Sequence, residues 1–120
     1  MQSLLLFSDD MRLFTVESLQ DVFRSVKGFG DVRYNTPVGI PIEAKYSEGE
    51  EFTIVDLRPK RNAISISGMT DAALNAALIV QRHLGIPLRI IDLDYSFDLP
   101  LQDFATVEQL RAAIDEEQAT

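Results

Sequence analysis

Apolar and polar residues alternate along much of this chain with the period of two that is typical of β-strands. Two prolines, Pro37 and Pro41, interrupt the longest such stretch, so it is expected to form an edge strand, a bulge or a bent pair rather than a central strand. The pattern predicts strands at 3–7, within 31–57, at 63–67 and at 88–93. Those between 31 and 67 are typical of an antiparallel meander.

Three other segments repeat their apolar residues at helical spacing. Each is preceded by a threonine that can cap the first turn, and these caps are Thr15, Thr70 and Thr106. Glycines at Gly28 and Gly85 are expected to end the first two helices. Gln109 lies three residues after Thr106, the spacing of a capping box in which each side chain satisfies the other's free amide.

The predicted order of elements is β-α-β-β-β-β-α-β-α, with the number of meander strands fixed only to within one. Strands segregated between helices favour the α+β class, with three helices on one face of a largely antiparallel sheet. The unit from 63 to 93 reads strand-helix-strand and is compatible with a parallel pair joined by a right-handed crossover. A length of 120 residues predicts a single globular domain over 1–120.

Charge is distributed unevenly. The chain has a formal net charge of −8, and residues 88–120 hold eight carboxylates against two arginines. A negative surface disfavours binding to nucleic acid and to anionic membranes, and it favours a basic protein partner. The basic residues at 58–61 are interpreted as a solvated turn between strands.

The chain offers few groups for catalysis. It has no Cys, and its single histidine, His83, falls in the last turn of a predicted helix, where a structural role is favoured. No glycine-rich phosphate loop is present, so we predict neither an enzyme nor a cofactor. The longest apolar runs are shorter than a membrane span or a signal-peptide core, which favours a cytoplasmic protein.

The strongest candidate for a functional site is the segment 92–98. Its alternating oxygen ligands, followed by Asp103, resemble a calcium loop, but Phe97 stands where that loop needs glycine. A catalytic pair formed by Asp92 and Asp94 is a second alternative. We prefer partner binding, in which the carboxylates steer a basic protein and Tyr95 supplies rigid aromatic contact area.

The predicted partner-binding residues form two sets. The first and stronger set consists of Asp92, Asp94, Tyr95, Asp98 and Asp103. The second set is a weaker patch in a predicted turn and consists of Glu48, Glu50 and Glu51.

Several segments of the chain resemble one family. They are the ISISG sequence at 64–68, the alanine-rich helix at 71–84, the acidic stretch at 91–98 and the helix start at 107–110. In these segments the chain is similar to the small immunity proteins of bacterial contact-dependent growth inhibition and related polymorphic toxin systems. The resemblance implies a cytoplasmic protein that binds and blocks a cognate toxin domain, often a basic nuclease, and it transfers no functional residue.

Two other functions stay open at this stage. One is a structural or adaptor homodimer, which an exposed apolar edge at 38–40 would indicate. The other is a small enzyme that uses carboxylates with a metal ion, which elemental analysis of the purified protein would detect.

Overall fold

A computed structural model describes residues 3–119. Its elements, in chain order, are β1 (Ser3–Ser8), α1 (Val16–Ser25), β2 (Phe29–Tyr34), β3 (Ile42–Glu48), β4 (Glu51–Leu57), β5 (Ile64–Ser67), α2 (Asp71–Leu84), β6 (Leu88–Asp92), β7 (Asp98–Pro100), a 3-10 helix (Leu101–Asp103) and α3 (Val107–Gln118). The α+β class and the predicted order are confirmed. The segment expected to be a loop after β6 contains, in addition, the short strand β7 and the 3-10 helix.

The seven strands form one sheet in the order β2-β3-β4-β5-β1-β6-β7. Every neighbouring pair is antiparallel. Strand β1 lies between β5 and β6, so these two strands run in the same direction without pairing with each other. The connection through α2 therefore passes over β1, and the direct parallel pairing that the sequence left open does not form.

The predicted helix caps are confirmed at all three N-termini. The side chains of Thr15, Thr70 and Thr106 each accept a hydrogen bond from a backbone N–H in the first turn. Gly85 ends α2 in the left-handed conformation, as expected. In the capping box, however, Gln109 accepts a hydrogen bond from the N–H of Ala105 rather than from that of Thr106.

The end of α1 differs from the prediction. The helix stops at Ser25 with an extended cap at Val26, before Gly28 is reached. Gly28 instead has a φ of 109° in the turn into β2, and a Cβ there would lie 2.8 Å from the ring of Tyr46. The glycine is therefore required by this turn and by close contact with the sheet.

All three helices cover one face of the sheet, which carries the hydrophobic core. Leu4 and Leu6 of β1 join the core, as do Ile64 and Ile66 of β5. The opposite face, which we call the open face, has no helix from residues 3–119 packed on it. Its side chains come from alternate strand positions and include Leu5, Phe7, Ile54, Asp56 and Ile91.

The edge strand β2 carries an irregularity in its pairing with β3 between Gly30 and Arg33. Asp31, within this stretch, has a φ of 51°. Such a bulge is a common way to keep an edge strand from pairing with another chain. Among residues 3–119, no helix combines the length and the apolar character that a membrane span requires.

Candidate partner-binding site

The loop between β6 and β7 is fixed by the side chain of Asp92. Its Oδ1 accepts a hydrogen bond from the backbone N–H of Ser96 at 2.7 Å, and its Oδ2 accepts one from the Ser96 hydroxyl. The amide of Gln118, in the last turn of α3, donates to that hydroxyl at 2.9 Å. Asp92 therefore closes the loop and, through Ser96, links it to α3. Both of its carboxylate oxygens are occupied by these hydrogen bonds.

Asp94 and Tyr95 form the tip of this loop. Both side chains are exposed, with Tyr95 74% accessible. Tyr95 has a φ of 54°, in the left-handed region that few non-glycine residues adopt. The Asp94 carboxylate has no hydrogen bond or salt bridge with any other residue in the described part of the chain. The loop thus presents a free negative charge beside a free aromatic ring on a backbone that Asp92 holds in place.

Asp98 has a different environment although it is only four residues away. Arg89 Nε donates to its Oδ1 at 2.6 Å, and Arg89 Nη2 donates to its backbone carbonyl at 3.2 Å. The same guanidinium lies 3.9 Å from Asp9. Asp98 is thus neutralised at the open face and is a weaker candidate for steering a cationic partner.

Asp103 does not belong to this group of carboxylates. It ends the 3-10 helix that follows β7, and the register of β7 carries the chain away from the loop, since Pro100 pairs with Arg89 rather than with the end of β6. Its side chain is exposed. The calcium-loop spacing from 92 to 103 is therefore interrupted by a strand, which separates the first and last ligand positions in space.

The second predicted set, 48–51, is the turn that joins β3 to β4. Glu51 accepts a hydrogen bond from the N–H of Ala72 at the start of α2, and Glu48 accepts one from the amide of Asn75 at 2.9 Å. Asn75 also donates to the Tyr46 hydroxyl. Burial and the nearby charge of Glu48 raise the pKa of Tyr46. Only Glu50 is exposed without a hydrogen bond or ion pair to another described residue.

The sheet brings the two predicted sets to the same end. The turn after β3, the last residue of β6 and the start of α2 all lie there, because neighbouring strands alternate in direction. Strands β4 and β6 are three positions apart in the sheet, which corresponds to about 14 Å. We call this region the acidic end, and its carboxylates are Glu48, Glu50, Glu51, Asp71, Asp92 and Asp94.

Asp71 was not among the sequence candidates. It lies in the first turn of α2, where Arg111 of α3 contacts its Oδ1 at 2.8 Å. Its position could have been inferred, because a helix that follows β5 must begin at the same end of the sheet as the β5 C-terminus. Lys27, which precedes β2, is a second cation on the same side of the molecule.

The geometry does not support the catalytic pair. Strand β6 ends at Asp92, and Asp94 lies in the following turn, so the two carboxylates do not alternate on one strand. Within residues 3–119, no group of three or more His, Asp or Glu side chains is placed to hold a metal ion. His83 is exposed in the last turn of α2.

Comparisons with protein-family models, with curated proteins and with solved structures give no match to this chain. The fold and the acidic end therefore carry the functional argument by themselves. They define an α+β protein with a hydrogen-bonded, negatively charged loop at one end of an antiparallel sheet.

Proposed function

We propose that this protein binds a basic protein partner through its acidic end, and that the partner is a cognate toxin domain which it neutralises. The observation that carries the proposal is the loop tip, where Asp94 and Tyr95 are exposed and unpaired on a loop closed by Asp92. On this proposal the protein acts in the cytoplasm by occupying a surface, without a cofactor and without catalysing a reaction.

The physical chemistry of association supports this function. The loop backbone that carries Asp94 is already held by Asp92 and does not have to be ordered when the partner binds, so less conformational entropy is lost. An exposed tyrosine brings a large contact area with few rotatable bonds. A net charge of −8 attracts a cationic partner over a distance and increases the rate of encounter.

The choice of a toxin as partner rests on the resemblance to small immunity proteins at 64–114. A nuclease toxin needs a positive cleft for its phosphate substrate, and an acidic protein can occupy such a cleft. The resemblance and the charge thus support the same class of partner.

The test uses the protein encoded next to this gene as the candidate toxin. Co-expression should restore growth of cells that the candidate toxin alone inhibits. Stopped-flow mixing of the two purified proteins should give an association rate that falls as salt is added. If the proteins neither bind nor restore growth, the toxin assignment is wrong.

The Asp94→Lys variant tests whether the partner binds at the acidic end. Reversing this free charge should lower the association rate constant by about tenfold at low salt and make its salt dependence shallower. Asp103→Lys is the matched control, because it changes the same charge on an exposed residue away from the acidic end, and it should reduce the rate much less. Equal rates for the two variants would contradict the placement of the site.

A further inference from the structure

Strand β1 is apolar on both of its faces. Leu4 and Leu6 are buried in the core, while Leu5 and Phe7 lie on the open face. An antiparallel sheet with one face in water normally carries polar side chains on that face. A continuous apolar run is typical of a strand that is covered on both sides.

Strand β6, which pairs with β1, also has apolar side chains on both of its faces. Ile90 points into the core and Ile91 lies on the open face, directly opposite Leu5. Two further apolar side chains, Ile54 and Phe52, lie on the same face of β4, where Lys45 sits 4.5 Å above the Phe52 ring. No helix among residues 3–119 covers these apolar side chains, although their exposure differs. Phe52 is 57% exposed, Leu5, Phe7 and Ile54 are partly exposed, and Ile91 is buried between its neighbours.

Two adjoining shallow depressions lie on the part of the open face next to the turn between β4 and β5. The first has a volume of about 230 Å³, and its lining includes Leu5, Phe7, Ile91 and the exposed side chains of Met11 and Tyr95. The second, about 390 Å³, shares Leu5 with the first and extends to the turn between β4 and β5. Exposed hydrophobic areas of this kind are typical of interaction surfaces.

The charges around the open face are opposite at its two ends. The acidic end carries Glu50 and Asp94, which have no partner among the described residues. The turn at the other end carries the exposed residues Lys60 and Arg61. Asp9 and Asp10, which follow β1 at that end, are already paired, since Asp10 lies 2.8 Å from Arg12 and Asp9 lies 3.9 Å from Arg89.

We propose that a second copy of this chain covers the open face, and that the two sheets pack face to face with their strands antiparallel about a two-fold axis. Such an interface is formed by the same patch on both copies, so the patch must be complementary in shape and charge to its own copy rotated by the two-fold axis. Strand β4 begins at the acidic turn and ends at the basic turn. Stacking β4 on its copy in the antiparallel sense brings Glu50 toward Lys60 and Arg61 of the other copy, twice per dimer.

The size of the sheet limits the surface that the dimer can bury. Seven strands span about 29 Å, and strands of five to six residues are about 17–20 Å long, so the face offers roughly 500 Å² of planar area per copy. This is less than the ~800 Å² per partner that a standard stable interface buries. The dimer should therefore dissociate in the micromolar range of concentration.

Sedimentation velocity of the purified protein between roughly 1 and 200 μM, a range set by the small interface, tests the proposal without any toxin. The dimer fraction should rise with concentration. Leu5→Asp, which places a charge at the centre of the patch, should stay monomeric over the whole range. Val38→Asp is the matched control, because Val38 is the most exposed large apolar residue of the described chain at 81% and lies in the loop between β2 and β3. It should dimerise like the wild type.

If Leu5→Asp does not fold, charge-reversed variants of exposed residues test the same interface. The double variant Lys60→Glu, Arg61→Glu and the single variant Glu50→Lys change only exposed residues. Each alone should weaken self-association by about tenfold, and mixing the two should restore dimers because opposite charges meet again. A wild-type protein that is monomeric at all concentrations, or a mixture no stronger than its components, would overturn the proposal. Because these measurements need only this chain, they leave the toxin-binding function to its own test.

Discussion

At the scale of single residues, carboxylates that look alike in the sequence have different roles. Asp92 holds a loop, Asp98 is paired with Arg89, and Asp94 is free. The difference depends on which donors the fold brings within hydrogen-bonding distance. A local excess of acidic residues therefore indicates where negative charge lies along the chain, but it does not indicate which residues can act on a partner.

Asp56 is the most buried carboxylate of the described chain. It is 9% exposed on the open face, with Glu43 opposite it on β3. Arg58 donates from Nε and Nη2 to its two oxygens at 3.0 and 2.9 Å. Burial raises the pKa of Asp56, and the hydrogen bonds and charge of Arg58 oppose that rise without cancelling it.

This shift predicts how the Asp56→Asn variant responds to pH. A carboxyl whose pKa is raised by folding adds its full stability below its ordinary pKa of 3.8 and loses it as the pH rises through the folded-state pKa. The free energy of unfolding of Asp56→Asn should therefore increase relative to that of the wild type as the pH rises above 3.8. Urea denaturation at several pH values measures this difference.

Ser65→Ala is the control for that experiment. Ser65 is the cross-strand neighbour of Asp56 on β5 and has no titrating side chain. Its effect on stability should be the same at every pH. A difference between Asp56→Asn and the wild type that stays flat with pH would show that burial does not raise this pKa.

At the scale of elements, Gln81 fixes the end of α2 to the start of β6. It is buried at 7% exposure, its amide donates to the carbonyl of Ile86 at 2.8 Å, and its oxygen accepts from the N–H of Leu88 at 3.0 Å. The turn at 85–87 is thus held by a side chain from the preceding helix. A buried polar residue with both groups satisfied sets where β6 begins.

Replacing Gln81 with leucine keeps the volume and removes both hydrogen bonds. The N–H of Leu88 is then left without its acceptor, which should lower the free energy of unfolding by about 2 kcal/mol. His83→Leu, an exposed change in the same turn of α2, should alter it by less than about 0.5 kcal/mol. Thermal and urea denaturation compare the variants, and a Gln81→Leu protein as stable as the control would contradict the role of Gln81.

The predictions that succeeded at this scale rest on local signals. Thr70 and Gly85 act within one turn of their own helix, so the sequence was sufficient to place both ends of α2. The end of α1 was predicted wrongly from such a signal. Gly28 does not end the helix, because its conformation is required by the close approach to Tyr46, 18 residues away.

At the scale of the whole molecule, β1 is an interior strand of the sheet, next to the central strand β5, and pairs on both sides, although it comes first in the sequence. Its amides should exchange with solvent only when the sheet opens as a unit. Hydrogen exchange followed by mass spectrometry or NMR should find the slowest backbone amides in β1 and α2. The bulged edge strand β2 should exchange much faster, and equal rates in β1 and β2 would contradict this view of cooperativity.

The open face is also a property of the whole molecule. Its signal in the sequence is the apolar run from Leu4 to Phe7, inside the strand predicted at 3–7. The edge at 38–40, expected to mark a homodimer, has one exposed apolar side chain, since Val38 is exposed and Ile40 is buried. The candidate interface between two copies therefore lies on the sheet face and not at that edge.

The sequence by itself determined the α+β class, the order of the elements and the helix caps, because periodicity and capping act over a few residues and do not depend on distant neighbours. Only the tertiary structure decided that β1 separates β5 from β6, that the 48–51 turn and the 92–98 loop share one end of the sheet, and that Asp103 is apart from them. These relations join residues far apart in the chain, and they follow from strand pairing that a local pattern does not specify.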